Sequence, residues 1–126
     1  MSAPERLLTD AEVLRLQGHD VGIVEEGTRF HVVISNFLLP SLYEPQKTDL
    51  MFIADYQYPM SALDMFWTEP FVRCRNGSWP QNADQFEQHI GRTWQRWSWH
   101  YQGWNPSSHS LATHLDVCFD RLSKGL

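Results

Sequence analysis

Two short stretches of the chain hold side chains able to do chemistry. The first is Arg73-Cys74-Arg75-Asn76-Gly77. A thiol between two guanidiniums is a candidate nucleophile, because adjacent positive charge favours the thiolate. The competing reading is an ordinary surface cysteine, or one whose side chain points inward. The second stretch is Trp94-Gln95-Arg96-Trp97-Ser98-Trp99-His100. Near Cys74, His100 could serve as a base or tune the thiol. Ser98 and His100 would share a face only on a strand, and Ser78 is a further hydroxyl candidate. An exposed Trp–Arg pair is a common interface anchor, so Arg96 and Trp99 join Arg75 as candidate binding residues. Most of the indoles are expected to be core, with Trp94 and Trp97 at i, i+3 sharing a helical face.

The other cysteine is read as core filler. Cys118 lies on an apolar stripe with Leu111, Leu115 and Leu122, where a thiol behaves as a small hydrophobe. His114 and Cys118 are spaced i, i+4, so with His109 and His100 four zinc ligands can be written down. The spacing matches no compact zinc signature, and a metal-binding protein built on these four stays an alternative.

These groups need positioning elements. Thr9 and Glu12 form a T-x-x-E capping box, with Leu8 and Val13 as a hydrophobic staple. They predict a helix over 10–17, with Ala11 and Leu14 facing inward and Gly18 as its stop. Strands are predicted over 21–25 and 29–34 around Glu26-Gly27-Thr28. Phe30, Val32 and Ile34 alternate as a half-buried strand should. Further strands are predicted over 49–54 and 63–67, with a turn at Tyr58-Pro59. Residues 73–84 are irregular, broken by Gly77 and Pro80. Residues 85–100 are predicted to contain a helix interrupted near Gly91. A last helix starts at Ser108 or Ser110 and carries the Cys118 stripe. The order of elements predicts an α+β fold with an antiparallel sheet.

Composition narrows the function. A chain of 126 residues is expected to form a single domain over 1–126 with one core. No apolar run reaches the roughly 18–20 residues needed to span a bilayer, so no membrane role is expected. The charged start lacks an apolar signal core, which predicts a cytoplasmic protein with free thiols. A net charge of −5 argues against a phosphate-binding surface, and Arg73, Arg75, Arg92 and Arg96 make only a small basic patch. No nucleic-acid partner and no cofactor are expected.

An ordered set of motifs supplies a family resemblance. Pro40-Ser41-Leu42-Tyr43-Glu44, the strand over 49–54, Tyr58-Pro59 and Trp104-Asn105-Pro106 before the last helix stand at compatible spacings. Together they resemble a ubiquitin-conjugating (E2) domain. Tyr58-Pro59, Asp64-Met65-Phe66-Trp67 and the tryptophan stretch are similar to the divergent bacterial group called prokaryotic E2 family E. The resemblance implies a UBC-like fold: an N-terminal helix, a four-stranded antiparallel meander, an irregular active-site loop and C-terminal helices. It implies a role in bacterial ubiquitin-like conjugation, with an E1-like adenylating enzyme and a ubiquitin-like protein as partners. The chain departs from the conventional E2 pattern at the nucleophile. No His-Pro-Asn element is present, so the resemblance leaves the role of the helper asparagine, and with it oxyanion stabilisation, to Asn76 or Asn82, and aligning Gly77 with the family glycine puts Pro80 where the thiol belongs. Either Cys74 carries the ubiquitin-like protein as a thioester, or the domain is an inactive E2-like scaffold.

Overall fold

The computed structural model describes residues 2–100 and 102–125. Helix α1 (Glu5–Leu16) is followed by strands β1 (Asp20–Glu26), β2 (Arg29–Leu38), β3 (Tyr43–Glu44), β4 (Lys47–Asp55), β5 (Phe66–Glu69), β6 (Arg73–Cys74), β7 (Gln85–His89) and β8 (Arg92–Trp97), and then by helix α2 (Leu111–Lys124). The fold is α+β. Six strands form one sheet in the order β1-β2-β4-β5-β8-β7, and β3 pairs with β6 in a two-stranded piece. Every pairing is antiparallel.

The first helix begins earlier than the capping box predicts. It starts at Glu5 behind Pro4, with no side-chain cap, so Thr9 lies in its interior. Leu7 offsets the missing cap by joining Ala11 and Leu14 in the core, all three fully buried. Arg6 adds hydrogen bonds to the Pro106 and His109 carbonyls at 3.3 and 2.7 Å. Leu8 and Val13 are exposed and form no staple. The last helix follows its sequence signals. Ser110 caps it in a box with Thr113, and Leu111, Leu115, Cys118 and Leu122 are buried. It is the one helix described after the sheet.

The largest correction falls on residues 85–100. In place of a helix, β7 and β8 form a hairpin that extends the sheet beyond a four-stranded meander. Ile90 and Gly91 both take positive φ, 47° and 76°, as a tight two-residue hairpin turn requires. Side chains on a strand alternate, so Trp94 and Trp97, three residues apart, face opposite sides. Trp97 packs with Phe66 and Trp99 beneath the helices. Trp94 packs with Val33, Met51 and Trp67 on the other face. That second cluster explains why His31 and Val33 are buried where the alternation of β2 predicts exposure. The sheet curls until the β7–β8 turn meets the β1–β2 turn. The Ile90 N–H donates to the Glu26 carboxylate at 3.1 Å, and the His31 and His89 rings lie 5.4 Å apart.

No helix among the described residues is long and apolar enough to cross a membrane.

Candidate functional site

The segment carrying Cys74 is irregular in sequence, and one side chain of β8 holds it in place. Gln95 is fully buried. Its Oε1 accepts from the Val72 N–H at 2.6 Å and from Thr68 Oγ1 at 2.9 Å, and its Nε2 donates to the Val72 and Ala83 carbonyls at 2.9 and 2.8 Å. The side-chain amide thus pairs both backbone groups of Val72, as a neighbouring strand would. A buried polar group without such partners would cost about 1–3 kcal/mol.

Anchored at Val72, the chain pairs β6 with β3, so that Cys74 lies opposite Tyr43. It then turns back sharply. The Gly77 N–H donates to the Cys74 carbonyl and the Cys74 N–H to the Ser78 carbonyl, both at 2.9 Å. Gly77 has φ 88°, a conformation glycine reaches without penalty. Asn76 Oδ1 closes the turn by accepting from the Ser78 N–H at 3.0 Å and the Ser78 hydroxyl at 2.6 Å. Trp99 steadies the outgoing strand, its indole N–H donating to the Gln81 carbonyl at 2.6 Å.

Cys74 is half-buried at a groove of about 400 Å³, which it shares with Leu42, Tyr43, Arg75, Asn76, Pro80 and Gly125. The flanking arginines hold the walls. Arg75 donates to the Ser41 carbonyl and pairs with Glu44 at 3.4 Å. Arg73 donates to the Gly77 carbonyl at 3.0 Å and lies 3.7 Å over the Trp79 ring. Tyr43 ties the groove to α2, its hydroxyl donating to the Leu122 carbonyl at 2.9 Å. Burial, reinforced by Cys74 beside it, pushes the Tyr43 phenol up to about 12, so it stays neutral. The second thiol is of another kind. Cys118 is buried under α2, and desolvation pushes it up to about 12.

The model of the prokaryotic E2 family E matches residues 7–124, nearly the whole chain. The chain belongs to prokaryotic E2 family E. No curated protein and no solved structure matches it.

In this family E domain the residues predicted for the site do not all meet. Cys74, Arg75 and Asn76 line one groove, and Pro80, at the position expected for the E2 nucleophile, lines the same groove. His100 sits elsewhere. Its Nδ1–H donates to the Asp64 carboxylate at 2.8 Å, and it borders a small cleft with Phe66, Cys118 and Arg121. Arg96 lies on the curled face, bonded to Glu87 at 2.7 Å and to the Ser98 hydroxyl at 3.0 Å. That bond engages Ser98 apart from His100, and the Ser78 hydroxyl is taken by Asn76. Trp99 is buried rather than exposed, with Arg121 stacked 4.8 Å over its ring.

The four proposed zinc ligands are also dispersed. Only His114 and Cys118 meet, at 3.7 Å, while His109 accepts from the Asn105 N–H at 3.0 Å and His100 holds Asp64. Tyr43 and Gln95 escaped the sequence reading. Gln95 had a signal: on a strand it shares the face of Trp97, and an amide on a core face must find partners.

Proposed function

We propose that this family E domain accepts a ubiquitin-like protein on Cys74 as a thioester, delivered by an E1-like adenylating enzyme. The contrast between the two thiols carries the reading: Cys74 opens to a groove of about 400 Å³, whereas Cys118 is buried on the core face of α2. In the loading step, Cys74 Sγ as thiolate attacks the thioester carbonyl of the E1-bound protein. A new C–S bond forms, the old one breaks, and the E1 thiol leaves as thiolate. An acceptor amine then attacks the Cys74 thioester, forming an amide, releasing the thiolate and losing a proton to solvent. The donor arrives already activated, so the domain has mainly to present the thiol and hold the acyl group. Asn76 lines the groove with its Oδ1 committed to the turn, and its amide N–H groups are the side-chain candidates for oxyanion donors. Arg75 shapes the wall against which the incoming C-terminal tail would lie.

A second reading is favoured by one observation: among the described residues no imidazole lines the groove, and both neighbouring arginines are committed to backbone and ring contacts. A scaffold that binds an E1-like or ubiquitin-like partner without forming a thioester needs only the groove. One experiment separates the two. The domain is mixed with its cognate E1-like enzyme, ubiquitin-like protein and ATP, and run on non-reducing gels. A reducible adduct that disappears in Cys74→Ser and persists in Cys118→Ser supports the carrier. Partner binding without any adduct supports the scaffold, and an adduct that survives Cys74→Ser refutes the carrier reading on this residue.

A further inference from the structure

The curled face of the sheet gathers two histidines and a carboxylate that the groove chemistry does not use. Glu26 ends β1, His31 lies on β2 and His89 ends β7. Each offers one ligand atom, and these atoms lie within 4.8 Å of one another. Glu26 and His31 share the β1–β2 hairpin, and His89 joins them only because the β7–β8 turn folds onto the β1–β2 turn.

The surroundings prepare both rings as ligands. His31 is 2% exposed, and its Nδ1 faces the Val24 carbonyl at 3.3 Å. A carbonyl only accepts, so Nδ1 carries the proton and the Nε2 lone pair is left over. The His89 Nε2 faces the Glu87 carboxylate at 2.9 Å. Glu87 also accepts from the Trp67 indole N–H at 2.9 Å and from Arg96 at 2.7 Å, so its carboxylate accepts from the His89 Nε2–H and Nδ1 keeps the lone pair. A backbone carbonyl behind one imidazole and a carboxylate behind the other are the outer partners that metal-binding histidines ordinarily have.

We propose that Glu26, His31 and His89 bind one divalent transition-metal ion, which clasps the two hairpin turns together and so locks the curl of the sheet. The donor set is two nitrogens and one oxygen, which suits zinc and its neighbours better than calcium or magnesium. Ligand bonds of about 2.0–2.1 Å put tetrahedral donors roughly 3.3 Å apart. The donors start within 4.8 Å of one another, so all three side chains shift inward on binding, and the Glu26 carboxylate is shared between the ion and the Ile90 N–H. Three protein ligands leave one position for water.

The test uses the metal-free full chain, titrated with zinc by calorimetry and with cobalt(II) by visible absorption. The expected result is one ion per chain, a rise in melting temperature on adding zinc, and a cobalt band without thiolate charge transfer. His89→Gln and Glu26→Gln should each weaken binding at least tenfold and abolish the thermal shift. His109→Gln and Cys74→Ser should bind as the parent does. Glu26 is exposed, so Glu26→Gln stays interpretable even where His89→Gln weakens the fold. Absence of stoichiometric binding overturns the proposal, as does undiminished affinity in Glu26→Gln or a cobalt signal lost in Cys74→Ser. Thioester formation on Cys74 is a separate readout and stands or falls by itself.

Discussion

Replacing Gln95 with alanine should detach the Cys74 segment from the sheet. The side chain makes four hydrogen bonds, all buried, to Thr68, to both backbone groups of Val72 and to the Ala83 carbonyl. At a net of about 1 kcal/mol for each, the loss is about 4 kcal/mol, and it grows where a stranded group finds no water. For a domain of this size, 1 kcal/mol moves the melting temperature by roughly 3–5 °C, so Gln95→Ala should melt about 12–20 °C lower. Urea denaturation should show a lower midpoint at an unchanged slope. Gln95→Glu keeps the acceptor for Thr68 and Val72 but turns an oxygen onto the Val72 and Ala83 carbonyls, so it should melt below the parent. Gln88, exposed on β7 with its side chain bonded to the Thr93 hydroxyl, is the control, and Gln88→Ala should stay within about 0.5 kcal/mol. A Gln95→Ala variant that loses less than about 1 kcal/mol would show that something other than this amide holds the groove.

Three further outcomes follow from the same geometry. An aromatic disulfide reagent should titrate one thiol quickly in the folded protein and the second only on unfolding; Cys74→Ser should remove the fast phase, and a fast phase surviving that change would contradict the burial of Cys118. Tyr43→Phe should cost about 1 kcal/mol by removing one of the two hydrogen bonds on the Leu122 carbonyl, the Gly125 N–H keeping the other, with faster amide exchange in the last turn of α2 as the check. His31 and His114 are both held below their ordinary value of 6.5, chiefly by burial, so the unfolded chain takes up protons first as pH falls. Stability measured in EDTA should therefore decline below about pH 6.5, while the contribution of Glu87, whose folded pKa is depressed below 4.5, is lost only at lower pH. A denaturation midpoint that stays flat from pH 7 to 5 would contradict the neutral buried imidazoles.

The sequence was most legible where burial follows one regular period. The stripe of α2 and the β1–β2 hairpin declare themselves because their apolar residues repeat at 3.6 and at 2. The β7–β8 hairpin did not, because both its faces carry indoles and charges. Trp94 and Trp97 satisfy two cores, so neither period stands out, and Gly91 reads as well as a helix break as it does as a turn. Cys74 was found from its charged neighbours alone, but the two-residue pairing of β3 with β6 is too short to leave a pattern. The separation of His100 from Cys74 depends on Asp64, far away in the chain, and nothing local announces such a partner.

Gly125, the left-handed residue that ends α2, is itself part of the groove around Cys74. Polypeptide fused behind that helix would therefore emerge from the mouth of the cleft and shade the thiol. α1 contributes no residue to the cleft, so affinity handles and fluorescent fusions for loading assays belong at the amino end.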